Sequence, residues 1–388
     1  KKDLLFEETF KMITIKNNSN YNKRQFWSYR KLIERSKKIS NNVKKEYLDK
    51  DKKNNNNKTK KQFHIINDKV ITDKDLIKRI ESIYIPPAYK ELVIAKSENN
   101  KIQAIGTDTR GRRQYIYNPK YTKKRNERKY DDVMELGKSI IKIEKDNECM
   151  LNTLTNKKYE DWDLPNDYIP IIIYMLKMYH FRIGNECYTK DNNSYGITTL
   201  KKEHIHFLPN NKFKIEFIGK KGIVNTYTDN NLLISKLLKQ LIENSSNDNF
   251  LFKYNHINQH NNEKTHQLIT PEHIHSFFQD KYNAYITPKM FRTWYGNYHM
   301  IHYLKELFKE DKLKKRMLKS DVRELITNCS EHVSNKLNNT PSVSKKSYID
   351  NKILDLVIRN PYHFAKKIPD TMEDQHQFLY KIILKLRH

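Results

Sequence analysis

Apolar residues recur at helical spacing through most of this chain beyond residue 129, and that periodicity limits the folds open to it. Val133, Leu136, Ile140 and Ile143 approximate a 3.6-residue period, which places them on one face of a helix. The same pattern continues through residues 167–181, 232–243, 271–279 and 289–308. It predicts that residues 129–388 form a mainly helical domain.

One segment of this helical region alternates at the spacing of a β-strand instead. Phe213, Ile215 and Phe217 stand two residues apart, and a Gly-Lys-Lys-Gly turn follows at residues 219–222. Residues 223–228 then return in the opposite direction. The pattern predicts a short β-hairpin that carries Lys220 at its tip.

The preceding region, residues 63–128, has the pattern of a small antiparallel β domain. Residues 102–106 and 113–117 are predicted to pair as a hairpin. A capping-box pattern from Thr72 to Asp75 comes before a helical run at residues 76–83. We expect a linker near residues 127–131 between this domain and the helical one, so the predicted fold class is α+β.

Residues 1–62 are dominated by Lys, Asn, Arg and Ser. Such a composition buries too little apolar surface to form a core, and it predicts a partly disordered basic arm, helical around residues 26–39. The arm could lie along DNA phosphates or be solvated, and the composition leaves both interpretations open.

The chain carries 74 Lys and Arg against 46 Asp and Glu, a formal charge of +28 in 388 residues. This excess favours a polyanionic partner, duplex DNA above all, because each neutralised phosphate releases counterions. An AT-rich coding sequence that favours Lys and Asn codons would also raise it. We expect no membrane span, since the most apolar stretch, residues 168–181, is too short to cross a bilayer.

The three cysteines lie far apart, with no pair at zinc-ligand spacing. We therefore expect Cys149, Cys187 and Cys329 to be free thiols in a reducing compartment, with no structural metal and no cofactor.

Four residues suit phosphoryl transfer to a protein side chain: Tyr348, Arg182, Arg292 and Lys220. A tyrosine oxygen can attack phosphorus, planar guanidiniums bind phosphate oxygens bidentately, and an ammonium can protonate a leaving oxygen. Each also has an ordinary interpretation. Tyr348 is one of 25 tyrosines, the arginines could form internal salt bridges, and Lys220, like its neighbour Lys221, could be an exposed turn lysine.

The hairpin at residues 110–117 combines basic and amide side chains with aromatic ones. Arginine and glutamine make the bidentate contacts that distinguish guanine and adenine in the major groove. A solvated basic hairpin is the alternative.

Taken in order, these segments resemble the type IB DNA topoisomerases, and specifically their small poxvirus-type and bacterial-type branch. The similarity extends from about residue 85 to residue 357. It rests on the segments 106–115, 182–184 with 195–200, 217–220, 291–294 and 339–348.

The resemblance implies roles for the named residues. Tyr348 would be the nucleophile and form a 3′-phosphotyrosyl link, Arg182 and Arg292 would hold the transition-state charge, and Lys220 would be the general acid. It also implies relaxation of positive and negative supercoils without ATP or metal, by a monomer whose two domains form a C-shaped clamp on duplex DNA. By the same resemblance, the DNA contacts of the β domain would be Arg112, Arg113, Gln114, Tyr115, Tyr117 and Arg125.

One position departs from the poxvirus pattern. A histidine precedes Thr-Pro in the poxvirus enzymes, and Asn339 stands here, as in bacterial-type members. Its amide can still donate a hydrogen bond to a phosphate oxygen, but it carries no charge. His332 could substitute for the missing histidine, although we expect it to be a surface or core residue.

Two rival hypotheses stay open from the sequence. A tyrosine site-specific recombinase shares the Arg/Lys/Arg/Tyr set, but usually carries His-x-x-Arg where this chain has Lys289 to Arg292. A non-catalytic DNA-packaging protein would explain the charge but not the ordered motifs. Heavy Lys and Asn usage suggests a large DNA virus, and hence a viral factory, the host cytoplasm or the virion as the location.

Overall fold

The computed structural model describes most of the chain after residue 73. The described residues are 74–95, 97–244, 249–257 and 264–387, with the two-residue strands Trp27–Ser28, Ile65–Ile66 and Lys69–Val70. The predicted arm, apart from Trp27–Ser28, and the predicted cap Thr72 lie outside them. The chain divides into two compact units, Lys1–Glu127 and Arg128–His388.

The described part of the first unit contains a four-stranded antiparallel sheet, a helix that packs on it, and the start of the long helix Pro119–Thr155. Its elements in chain order are β1 (Trp27–Ser28), β2 (Ile65–Ile66), β3 (Lys69–Val70), α1 (Lys74–Ser82), β4 (Lys90–Ile94), β5 (Ile102–Thr107) and β6 (Arg113–Tyr117). The sheet has the order β1-β4-β5-β6, while β2 and β3 pair separately. Ile80 of α1 packs on Ile94 and Ala104 of the sheet to form a small core. The predicted β5–β6 hairpin is confirmed, with Thr107 opposite Arg113.

The second unit is mainly helical. Its helices are α2 (Pro119–Thr155, which begins in the first unit), α3 (Ile169–Met178), α4 (Glu186–Asn192), α5 (Leu232–Asn244), α6 (Pro271–Tyr282), α7 (Pro288–Lys309), α8 (Lys319–Leu337), α9 (Pro341–Ser347), α10 (Asn351–Arg359), α11 (Pro361–Lys367) and α12 (Met372–Arg387). Its strands are β7 (Ile205–Phe207), β8 (Phe213–Ile218), β9 (Val224–Asp229), β10 (Lys253–Ile257) and β11 (Lys264–Leu268).

The segment near residues 127–131, where a linker was expected, is helical, because α2 runs through it without a break. The division between the two units falls in this segment, after Glu127. Residues 120–136 contain neither proline nor glycine and are rich in Lys, Arg and Glu. Such side chains lose little rotamer freedom in a helix.

The core of the second unit is built around α7. This helix packs against α3, α6, α8, α11 and α12, and nearly every residue from Pro288 to Tyr298 is buried. Trp294 and the α3 residues Ile171 and Ile172 are fully buried within this core. Arg292, in the second turn of α7, is therefore buried in this core, whereas Lys289 in the first turn is exposed.

The predicted hairpin in the second unit is confirmed as β8 and β9, and β7 adds a third antiparallel strand. The alternating residues Phe213, Ile215 and Phe217 are the buried face of β8. The β10–β11 pair was not predicted, because Lys-Tyr-Asn-His-Ile and Lys-Thr-His-Gln-Leu show no apolar alternation.

Among the described residues no helix is long and apolar enough to cross a membrane.

Candidate active site

Arg292 lies in the second turn of α7 and is only 4% exposed. Its Nη1 donates to the carbonyl oxygen of His180, its Nη2 donates to that of Leu337 at 2.6 Å, and its Nε lies 3.4 Å from the Tyr348 hydroxyl oxygen. The two carbonyls fix the plane of the guanidinium. Because arginine has five N–H groups, two remain for a ligand.

Tyr348 ends α9, with its ring beside this guanidinium. The Arg292 Cζ lies 5.2 Å from the ring centroid, and Tyr348 is 9% exposed. Burial opposes ionisation of the phenol, but the charge and hydrogen bond of Arg292, with the charges of Arg182 and Lys289, outweigh it and lower the pKa of Tyr348 below its ordinary 10.0. The surroundings therefore favour the anion, which is the nucleophilic form.

The middle of α7 determines where the Tyr348 backbone lies. A Cβ at Gly296 would come 2.9 Å from the Tyr348 Cβ, so a side chain there would displace Tyr348. Asn297, which is fully buried, donates from Nδ2 to the Tyr348 carbonyl at 2.9 Å and accepts at Oδ1 from the Asp350 amide at 2.8 Å. The sequence analysis missed Asn297; its signal is an amide side chain inside a run of buried aromatic residues.

Asn339 follows α8, one residue after Asn338, which caps the helix in a left-handed conformation. The Asn339 Oδ1 accepts a hydrogen bond from Ser344 Oγ at 2.6 Å. Its Nδ2 is buried and, within the described part of the chain, has no hydrogen-bond partner. An unsatisfied buried donor costs about 1–3 kcal/mol, so this amide is held ready for an acceptor that the protein does not supply.

Arg182 lies in a backbone segment that pairs with residues 196–198. Ile197 N donates to the Arg182 carbonyl at 3.0 Å, and Thr198 N donates to that of Ile183 at 2.8 Å. Gly184, which follows directly, has φ +90°, a conformation that L side chains rarely adopt. The Arg182 side chain is partly buried, and within the described part of the chain its guanidinium makes no hydrogen bond or ion pair.

Lys220 lies in the exposed turn between β8 and β9. Asn338 holds this hairpin, since its Nδ2 donates to Asn225 Oδ1 at 2.9 Å and to the Val224 carbonyl at 3.1 Å. The turn is thus tied to the residue that precedes Asn339. None of the described contacts joins Lys220 or Lys221 to the Tyr348 phenol.

The predicted DNA contacts of the first unit lie on the β5–β6 hairpin and the start of α2, and two of them share a carboxylate. Arg112 Nη2 and Gln114 Nε2 donate to Asp108 Oδ2 at 2.8 and 3.0 Å. The hydrogen bond from Arg112 is the main reason that the pKa of Asp108 falls to about 2. The sequence analysis did not predict this carboxylate.

The remaining predicted contacts of that hairpin are presented differently. Arg113 and Tyr115 are exposed, while the Arg125 Cζ lies 5.2 Å above the Tyr117 ring. Stacking on an aromatic ring restricts a guanidinium while leaving its N–H groups free to donate.

His332, which could have replaced the missing histidine, lies outside the site. Its ring stacks on that of Tyr303, with 4.5 Å between the ring centroids.

A groove of about 890 Å³ next to α9, here called the basic groove, has no carboxylate among the described side chains that line it. Its cationic lining residues are Lys314, Lys315, Arg316, Lys319, Arg323, Lys345 and Arg359.

Comparison with known families agrees with this geometry. A family described as eukaryotic DNA topoisomerase I, catalytic core, matches residues 118–369, and one described as bacterial DNA topoisomerase IB, N-terminal domain, matches residues 62–108. The chain therefore belongs to the type IB DNA topoisomerases, and the predicted resemblance is confirmed.

Its relatives come from large DNA viruses. The DNA topoisomerase 1B of Acanthamoeba polyphaga mimivirus is 30% identical over 325 residues, which are 84% of this chain and 91% of the relative. The DNA topoisomerase 1B of Vaccinia virus (strain Copenhagen) is 25% identical over 256 residues, 65% of this chain and 71% of the relative. The rival interpretations as a recombinase or a packaging protein are set aside.

One of the carbonyls that accept from Arg292 belongs to His180, which forms a buried pair with His299. This pair predicts that the folded protein loses stability in acid. His180 Nε2 lies 2.6 Å from His299 Nε2, and burial lowers the pKa of His180 to about 3 from its ordinary 6.5. The unfolded chain takes up a proton below about pH 6.5 and the folded chain does not, so stability falls as the pH drops from about 6.5 towards 3.

We expect His180→Asn to reduce the slope of the unfolding free energy against pH. The reduction should correspond to about one proton, or about 1.4 kcal/mol per pH unit between pH 6 and 4. Asparagine tolerates the left-handed backbone of residue 180. Urea unfolding across that pH range measures the slope, and His266→Asn, at an exposed histidine, is the control. Equal slopes in the His180 variant and wild type would contradict the prediction.

Proposed function

We propose that this enzyme relaxes positively and negatively supercoiled duplex DNA by cutting and rejoining one strand through Tyr348. The observation that carries the proposal is the buried contact between the Arg292 guanidinium and the Tyr348 hydroxyl. The Asn339 amide donor, which has no partner among the described residues, supports it. A phenol, a cation and a free donor together suit a pentacoordinate phosphate.

In the proposed cleavage step the Tyr348 oxygen loses its proton and attacks phosphorus. The new P–O bond makes a 3′-phosphotyrosyl link, and the bond from phosphorus to the 5′ oxygen breaks. The two N–H groups that Arg292 retains would bind non-bridging oxygens. Arg182, whose charge already acts on the Tyr348 phenol, would supply the second guanidinium.

Two further residues complete the proposed step. The Asn339 Nδ2 would donate to a non-bridging oxygen, a contribution smaller than that of a charged group. The leaving 5′ oxygen needs a proton, and Lys220 is the proposed donor. Because the Lys220 turn is exposed in the structure without DNA, this assignment requires the hairpin to close over the bound duplex.

The phosphotyrosyl bond retains the energy of the phosphodiester. Religation is the same displacement in reverse, with the 5′ hydroxyl as the nucleophile, so the proposed cycle needs neither ATP nor a metal ion. Rotation of the free end between the two steps would relax supercoils of either sign.

Binding of the duplex is proposed to involve both units of a monomer, closing as a C-shaped clamp. In the three-part organisation that we propose, residues 1–62 are an arm, 63–128 the β domain and 129–388 the catalytic domain. Arg113 and Tyr115 of the hairpin are exposed for base or phosphate contacts. The pairing of Arg112 and Gln114 with Asp108 would orient both before DNA binds.

The central test is relaxation of plasmids of either supercoil sign in EDTA without ATP. Wild type should relax both, and Tyr348→Phe should relax neither, because the variant keeps the ring but lacks the attacking oxygen. Tyr285→Phe, at a tyrosine that is 57% exposed, is the matched control. An active Tyr348→Phe variant would overturn the proposed nucleophile.

The proton donor can be identified with a substrate that carries sulfur in place of the 5′ bridging oxygen. Lys220→Ala should slow cleavage of ordinary DNA about 10²-fold or more. It should cut the sulfur substrate at nearly the wild-type rate, because a thiolate leaves without a proton. Lys221→Ala is the control and should cut both substrates at nearly the wild-type rate. If Lys221→Ala instead showed the behaviour expected of Lys220→Ala, Lys221 would be the proton donor.

The basic groove is proposed to bind phosphates of the duplex, which predicts a change in salt dependence. The double variant Arg316→Ala/Arg323→Ala should make the slope of log K against log salt shallower by about 1.8, from about 0.9 per lost contact. Lys381→Ala/Lys385→Ala, on the exposed face of α12, removes the same charge outside the groove. Equal slopes in the two double variants would contradict phosphate binding there.

A further inference from the structure

Asp350 follows the proposed nucleophile Tyr348 by two residues and caps α10. It forms a buried ion pair with Arg387, near the end of α12. We infer that Arg387 is a positioning residue for strand cleavage, acting through Asp350 on Tyr348. This inference rests on the role proposed above for Tyr348.

Asp350 connects the nucleophile segment to three other parts of the second unit, and it is only 2% exposed. Its amide N donates to Asn297 Oδ1 at 2.8 Å, and its Oδ1 accepts from the Lys352 amide at 2.9 Å. Its Oδ2 accepts from Arg387 Nη2. A shift of this carboxylate would therefore move the backbone that follows Tyr348.

Arg387 is itself held firmly in place. Its side chain is 7% exposed, its Cζ lies 5.2 Å from the Tyr130 ring centroid, and its Nε lies 3.7 Å from Asp131 Oδ1. The Tyr130 hydroxyl donates to the Ile349 carbonyl at 2.6 Å. The cation and the ring beneath it thus hold two consecutive residues, Ile349 and Asp350.

The pair matters because neither charge is exposed to water. Removal of one partner leaves the other as an uncompensated buried charge, and the surrounding backbone moves to relieve it. The Tyr348 oxygen already stands at the long end of hydrogen-bond distance from Arg292, at 3.4 Å. A displacement of about 1 Å in a reacting group can cost about 10²-fold in rate.

The test is single-turnover cleavage by the full chain, at saturating enzyme, of a duplex whose short released strand dissociates. For Arg387→Ala we expect a rate constant at least about tenfold lower, an unchanged fraction of DNA finally cleaved, and unchanged DNA affinity. Arg387→Lys should recover part of the rate, since it keeps the charge. If Arg387 only stabilised the fold, Arg387→Ala would lower the fraction of DNA finally cleaved, because less enzyme would be folded. The rate constant of the folded enzyme would be unchanged.

Two more variants make the result decisive. Asp350→Asn keeps the oxygen that caps α10 but removes the charge, so it should lose rate in the same selective way even where Arg387→Ala fails to fold. Lys352→Ala removes another contact to the same helix end, the bond from Lys352 Nζ to the Leu386 carbonyl, and should cleave like wild type.

The outcomes separate the inference from the proposed function. Wild-type rate constants in Arg387→Ala or Asp350→Asn would overturn the inference while leaving Tyr348 as the nucleophile. A wild-type enzyme that forms no covalent complex with DNA would overturn both.

Discussion

Enclosure of the Arg292 guanidinium is the interaction on which the rest of the site depends. A buried cation is costly unless its N–H groups find acceptors. Its acceptors are the carbonyls of His180 and Leu337 and the phenol of Tyr348. Each belongs to a different segment of the chain. Formation of this one contact set therefore requires three distant segments to pack together, and the site is assembled as the core forms.

The same constraint acts from two directions on Tyr348, the proposed nucleophile. Burial alone would make the Tyr348 phenol harder to ionise, but the surrounding cations reverse that effect and lower its pKa. Asn297 holds the Tyr348 carbonyl from α7, and Arg387 holds Asp350 from α12. A tyrosine poised in this way needs little rearrangement before attack, because its backbone and its charge environment are already set.

Local elements were largely predictable from the sequence, since they depend on neighbouring residues. The alternation of Phe213, Ile215 and Phe217 is sufficient to predict β8, and helical periodicity predicts α7. The linker expected near residues 127–131 lies within a continuous helix, α2, and the sequence analysis did not predict that the two units would be joined in this way. The roles of all five predicted catalytic residues stay predictions: Arg182, Lys220, Arg292, Asn339 and Tyr348. The structure places Arg292 against Tyr348, and among the described residues it leaves the Asn339 Nδ2 unpaired.

By itself the sequence determined the class of chemistry, because ordered motifs of tyrosine, arginine and lysine carry it in their side chains. It also determined the basic charge and most helices and strands. Only the tertiary structure decided which groups hold those side chains. Asn297, the partner Asp108 and the Arg387–Asp350 pair have no local signature, since each of their contacts depends on how the chain folds back on itself. Burial and distance exist only once that folding has occurred.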